Sequence, residues 1–221
     1  MAKRLLLVSA LAAFVVGGVF AQMPQMSAGA GMAFNGGRFG GVSSTDPKSF
    51  MGGNHLGFGG FLFFDATYAE LSVGFGGGPT NSVVSIDGET EREKDGSMTG
   101  LDIGLLGKYP IAVSDKLSVA PLLGLAYNIV IGAKDKDGEK IEDAGDFKVS
   151  NFSNLRFQLG VGTDIAINDN LYVRLQGLAH YRLPSKFWKD EAKMAKDDGL
   201  DGAKAAGGFG GTFTAAVGYK F

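Results

Sequence analysis

Few side chains in these 221 residues are suited to catalysis or ligand binding, and most of them fall on alternating positions. His55 and His180 are the only histidines, and cysteine is absent. Disulfides, thiolate metal sites, iron–sulfur clusters and cysteine nucleophiles are therefore excluded, and a multi-histidine metal centre lacks ligands. The charges set within otherwise apolar alternating stretches are Glu70, Asp102, Lys108, Arg156, Asp164, Arg174, Arg182 and Lys220, with His180 in the same phase. Charges of both signs so placed can close on one another as a satisfied ion-pair cluster, or can form a selectivity constriction in a narrow pathway. Asp135-Lys136-Asp137-Gly138, followed by Glu142, resembles a calcium loop with an incomplete ligand set, and Asp137-Gly138 reads more simply as a tight hairpin turn. No metal and no cofactor is expected.

Composition points away from an ordinary soluble enzyme. Glycine accounts for 36 residues, about twice its usual share, without a collagen period, and phenylalanine for 17. The net charge of −2 leaves no basic footprint for nucleic acid. Residues 1–21 read as a signal peptide: Lys3 and Arg4 precede an apolar run over 5–19, and Val19-Phe20-Ala21 suits cleavage after Ala21. The mature domain is then 22–221; loss of Lys3 and Arg4 leaves 19 basic against 23 acidic residues, a net charge of −4. No later stretch reaches the roughly 18 apolar residues of a membrane-crossing helix.

What recurs instead is strand-like alternation. At the C-terminus Phe209, Gly211, Phe213, Ala215, Val217, Tyr219 and Phe221 share one face, with Gly, Thr, Ala and Lys220 on the other. Seven further alternating segments lie near 26–35, 55–65, 67–76, 99–111, 117–131, 155–167 and 171–183. Short turns at 65–66, 114–116 and 168–170 alternate with four long polar loops, 36–54, 77–97, 133–153 and 184–207. These turns pair Phe64 with Thr67 and Phe61 with Glu70, Val113 with Leu117 and Asp102 with Asn128, and Asp164 with Arg174 and Gln158 with His180. Facing residues agree in phase in all three hairpins, which a one-residue slip would destroy. Two loops look like hairpin extensions, around Asp87-Gly88 and Asp137-Gly138; they carry net charges of −3 (77–97) and −2 (133–153). A short helix is expected over 187–195, with Trp188 at the lipid interface or in a solvated loop.

One face of every segment is almost continuously apolar, and the other is small, polar or charged. A soluble up-and-down barrel has the opposite arrangement, with an apolar cavity and a polar exterior. The expected fold is therefore all-β, an eight-stranded antiparallel up-and-down transmembrane β-barrel with its charged face inside. The signal sequence, the eight segments, the three short turns, the four long loops and the ending Thr214-Ala-Ala-Val-Gly-Tyr219-Lys-Phe221 resemble the small eight-stranded outer-membrane barrels, the outer membrane protein A membrane domain and the X and W types. Ala216 stands where glycine is common. The resemblance implies that Thr214, Tyr219 and Phe221 are read by the barrel-assembly machinery, that outer-membrane lipid surrounds the barrel, and that the loops face outside.

For function, Glu70, Lys108, Asp164 and Arg174 are expected at one depth. Inward glycines such as Gly57, Gly59, Gly74, Gly100 and Gly104 either leave space beside an apolar set of Phe61, Leu106, Leu122, Val130 and Leu178 or simply permit tight curvature. The reading is a narrow passive, porin-like channel for small or hydrophobic solutes, as the W type implies. The alternative is a closed barrel whose loops meet an external ligand in adhesion or host interaction. Some barrels of this architecture modify lipid A, which requires a histidine with a serine or acid near the outer rim. His180 has no serine opposite, and Ser72 lies too deep for His55, so no enzymatic activity is expected.

Overall fold

Backbone groups in hydrocarbon must all be paired, and a sheet achieves this by closing on itself. The computed structural model describes residues 25–45, 48–87, 89–143 and 148–221 and shows such a closure. Its strands are β1 (Met26–Thr45), β2 (Lys48–Ala66), β3 (Ala69–Ile86), β4 (Glu89–Lys108), β5 (Ile111–Ser114), β6 (Leu117–Lys134), β7 (Asn154–Ala166), β8 (Leu171–Arg182), β9 (Lys204–Ala206) and β10 (Gly208–Lys220). Neighbours pair in the order β10-β8-β7-β6-β4-β3-β2-β1, and β1 pairs back to β10, so eight strands form an antiparallel ring. β5 continues the β4 wall against β6, and β9 is a rim ribbon on β1. Residues 1–21, expected to be a signal peptide, lie outside the described residues.

The β4–β5 break has a local cause. Pairing of β4 with β6 ends at Lys108↔Leu122 and resumes at Ile111↔Val119. Pro110 therefore lies across from the Pro121 region, and the two residues that lack an N–H fall at one interruption of the ladder. Tyr109 N bridges it by donating to Pro121 O at 3.3 Å.

Outward positions form a continuous apolar belt. Leu56, Phe58, Leu62, Leu123, Leu159 and Phe209 each expose more than 60% of their surface, which in water would be a severe liability and in lipid is required. Aromatic pairs mark both edges of the belt. Tyr68 stacks on Tyr109 at 6.3 Å and Phe64 meets Phe221 at 6.4 Å at the short-turn end, while Tyr181 meets Phe209 at 4.8 Å at the other. With the ring closed and this outer face, the fold is an eight-stranded antiparallel transmembrane β-barrel.

Two of the three sequence-derived hairpins need revision. Asp164↔Arg174, Gln158↔His180 and Asp102↔Asn128 are register partners as expected. At the first turn, however, Phe64 pairs with Leu71 and Phe61 with Gly74, because β2 runs on to Ala66 and the chain reverses at Thr67-Tyr68, with Thr67 at φ 58°. The slip is an even number of residues, so every side chain keeps its face. At the second, a bulge before Ser114 lets Ser114 rather than Val113 oppose Leu117.

The long loops are more ordered than expected. Segment 36–54 is not a loop: β1 and β2 stay paired to Thr45↔Lys48, and β3 and β4 to Ile86↔Glu89. The β1–β4 wall therefore stands higher than β7, β8 and β10, and the last long connection leans on it. There α1 (Lys186–Asp197) presents Trp188 and Ala192 to Phe39, Val42 and Ala203. Trp188 is neither at the lipid interface nor solvated; it is buried against the inner rim, 6.1 Å from the Phe39 ring. Its seat needs Gly40, which sits at φ +146° where a Cβ would approach the indole Cδ1 to 2.4 Å. Gly40→Ala should dislodge the helix at a cost of about 1–3 kcal/mol. Trp188 is the only tryptophan, so its emission should move to the red and become more quenchable. Unchanged emission would show that the α1 contact does not need Gly40.

Candidate functional site

The barrel's inner charges divide into two layers rather than one cluster. The layer nearer the short turns centres on Arg174 of β8. Its Nε and Nη2 donate to the Asp164 carboxylate, each at 2.7 Å, its Nη1 to Glu70 Oε2 at 2.6 Å, and its Nη2 also to Asp65 Oδ2 at 2.5 Å. Asp164 is its direct partner on the neighbouring strand. Glu70, on β3, lies four strands away in either direction around the ring, so this bond spans the lumen. Lys108 pairs with Asp65 from the side, Gln176 Nε2 donates to Glu70 at 2.9 Å, and Thr214 Oγ1 donates to Gln176 Oε1 at 3.2 Å. The guanidinium also lies over the rings of Phe63 (4.7 Å) and Tyr172 (5.2 Å), and Tyr172 is fixed by a 2.7 Å bond to Ser27. Side chains of Arg174, Glu70 and Asp65 are 2–3% exposed, so both signs of charge are almost fully withdrawn from solvent.

The second layer lies toward the tall rim. Arg156 Nη2 donates to Asp102 Oδ1 at 2.6 Å, and Asn128 Nδ2 adds a bond to the same oxygen at 3.2 Å. Arg182 makes no ion pair among the described residues. It donates from Nε to His180 Nε2 at 3.1 Å and from Nη2 to His55 Nε2 at 2.8 Å. His55 Nδ1 in turn lies 3.0 Å from Gly37 O, and His180 Nδ1 3.4 Å from Thr212 Oγ1.

Two chambers flank the Arg174 layer. The upper, about 140 Å³, has Arg156, Arg182, His55 and Asp102 on its wall, Glu70 and Gln176 at its floor, and Phe39 and Phe152 beneath the α1 contacts. The lower, about 220 Å³, is lined by Arg174, Asp65, Asp164, Tyr172 and Lys220 and by the short-turn residues 114–118. Leu106, Leu122, Leu178 and Ala120 form an apolar cluster packed inside the barrel.

The expected depth of Glu70, Lys108, Asp164 and Arg174 is therefore correct, while Asp102, Arg156, His180 and Arg182 belong to a separate layer. Lys220 reaches the lower chamber, with Nζ 5.6 Å from the Tyr172 ring. Asp65 belongs to this layer and not to the turn where the sequence reading places it; its shared phase with Phe61 and Phe63 is the signal for that position. His55, which the sequence leaves without a partner, is part of the Arg182 cluster. The terminal residues separate by face: Thr214 is buried in the lumen network, whereas Tyr219 and Phe221 are exposed on the outer belt.

No protein-family model matches the sequence, and no curated relative is found. Among solved structures, the outer membrane protease OmpT from Escherichia coli aligns over 90% of this chain and 98% of its own at 9% identity, with a TM-score of 0.47. The outer membrane protein OprG from Pseudomonas aeruginosa aligns over 90% and 97% at 11% identity, with a TM-score of 0.46. The attachment invasion locus protein Ail of Yersinia pestis aligns over 90% and 100% at 14% identity, with a TM-score of 0.38. Likenesses of this size assign no activity.

Removing Arg174 leaves Glu70 buried without a cation across the lumen. Arg174→Ala should destabilise the folded barrel by roughly 3–5 kcal/mol, read as a lower urea midpoint in lipid. Adding Glu70→Gln should recover part of the loss, because the stranded charge is then gone. A double variant no more stable than Arg174→Ala would place the energy elsewhere.

Proposed function

We propose that this chain is an integral outer-membrane barrel without enzymatic activity, and that its lumen is a narrow passive pathway for small solutes with the Arg174 layer as its constriction. The observation that carries this reading is the pair of unfilled chambers, about 140 and 220 Å³, on either side of that layer. An eight-stranded barrel is just narrow enough for side chains to fill, and one serving only as a pedestal is more stable when filled. Here Gly57 and Gly74 stand on the chamber wall with no contact nearer than 3.1 Å to a Cβ, whereas at Gly59, Gly76 and Gly100 a Cβ would meet neighbouring backbone at 2.3–2.8 Å, so those glycines serve the close approach of the strands.

Support for a non-enzymatic reading comes from the histidines. Both imidazoles direct Nε2 at the Arg182 guanidinium, and His55 Nε2 also lies 2.8 Å from Asn35 Oδ1, so neither Nε2 stands free as a general base would. Outer-membrane lipid would contact the apolar belt, the barrel-assembly machinery would read Tyr219 and Phe221, and the tall hairpins would face outside.

A second reading, a closed barrel displaying its rim to an external ligand, is favoured by one feature. In the upper β3–β4 hairpin, Asp87, Glu89, Glu91, Glu93 and Asp95 are all exposed, a ribbon suited to a basic partner.

Planar-bilayer recording of the folded chain separates the two. Discrete steps that grow in Arg174→Ala are expected for a pathway, whereas silence from both proteins, each shown to be folded, favours the display reading. Protease treatment of intact cells tests orientation. Cleavage should fall in the rim segments near 87, 137 or 200, and cleavage confined to residues near 67, 115 or 169 would reverse it.

A further inference from the structure

We infer that the upper chamber is a binding site for a small monocarboxylate with a short apolar tail, held by Arg182 and Arg156. The inference is independent of whether the lumen conducts.

Arg156 and Arg182 are direct register partners on β7 and β8, and both are buried, at 5% and 4% exposure. Like charges placed directly opposite on a sheet repel, and burial removes the water that would screen them. Asp102 makes a direct ion pair with only one of the two, through Arg156 Nη2, and acts on Arg182 from longer range. Glu70, at the chamber floor, is already engaged by Arg174 and Gln176. The neighbours of Arg182 are His55 and His180, each using a ring nitrogen as acceptor, so they orient the guanidinium without cancelling its charge.

The second observation is independent of charge counting. Arg156 Nε is buried and has no hydrogen-bond partner. A buried donor without an acceptor costs about 1–3 kcal/mol, and this one belongs to a side chain that lines an open chamber. One carboxylate beside Arg156 and Arg182 would separate the two positive charges, and a turn of the Arg156 side chain would bring this donor to it. Guanidinium groups favour carboxylates because the planar fork matches two oxygens.

The chamber also selects for size and tail. Its volume of about 140 Å³ is close to that of apolar cavities that hold a benzene-sized guest. Beyond the arginines, Phe39, Phe61, Leu106, Val130 and Leu178 line it. An acyl chain of a few carbons satisfies that part of the surface, while Asn128, Asn154 and Gln158 line the part beside the arginines.

Calorimetric titration of butyrate into the barrel in phosphatidylcholine nanodiscs, in chloride-free buffer, tests the assignment. One saturable site is expected, weakened at least tenfold by Arg182→Gln. Asp102→Asn removes the competing carboxylate and should tighten binding several-fold, so this variant decides the matter even if Arg182→Gln does not fold. No saturable binding, equal affinity in Arg182→Gln, or looser binding in folded Asp102→Asn would overturn the site. Equal affinity for 1-butanol or for chloride would overturn the carboxylate assignment.

Discussion

A sheet in hydrocarbon has no water to satisfy its edges, and closure into a ring is the constraint on which everything else in this molecule depends. Once β1 pairs with β10, each residue of the spanning strands faces either lipid or lumen, and a period of two decides which. The apolar belt of Leu56, Phe58, Leu123 and Phe209 and the buried row Arg174, Gln176, Leu178, His180 and Arg182 follow from that single alternation. Eight strands also make the lumen narrow, so charges on opposite walls come within bonding distance and must be compatible.

Arg174 shows how this compatibility is reached. Three carboxylates from β2, β3 and β7 converge on one guanidinium from β8, and Gln176, Lys108 and Thr214 complete the remaining bonds. Desolvation of such groups is costly, and only dense bonding of this kind offsets it. The same network accounts for the position of the first turn. Asp65 is held inside by Arg174 and Lys108, so β2 cannot end at Phe64, and the reversal passes to Thr67 and Tyr68.

Periodicity was readable wherever one face meets lipid, because there a single misplaced charge is prohibitive. The eight strands, their faces and the Asp164–Arg174 and Gln158–His180 pairs could be read for that reason. Above the membrane the outer face is wet and glycines at 36, 37, 40, 41, 52 and 53 interrupt the alternation, so 36–54 reads as a loop although it remains paired to Thr45↔Lys48. Trp188 was harder still: its burial depends on a glycine nearly 150 positions earlier, Gly40, and no local pattern reports such a contact. Depth within the lumen was legible only as far as the turns were. The turn at 168–170 placed Arg174 correctly, whereas the error at 65–66 left Asp65 outside the cluster it helps to hold.

Arg174 and Arg182 stand on the same strand and the same face, eight residues apart, and they make opposite uses of one side chain. Arg174 is surrounded by negative charge, so its own charge is neutralised locally and its role is to tie β8 to the far wall. Arg182 is surrounded by acceptors that carry no formal negative charge when they accept, and its nearest register partner is another arginine. Position without neutralisation has a structural cost and no structural return, since an apolar residue of similar size would fill the same wall without repelling Arg156. A negative charge arriving from outside the chain would supply that neutralisation, which separates the two layers in purpose as well as in depth: the lower ties opposite walls together, and the upper is held ready.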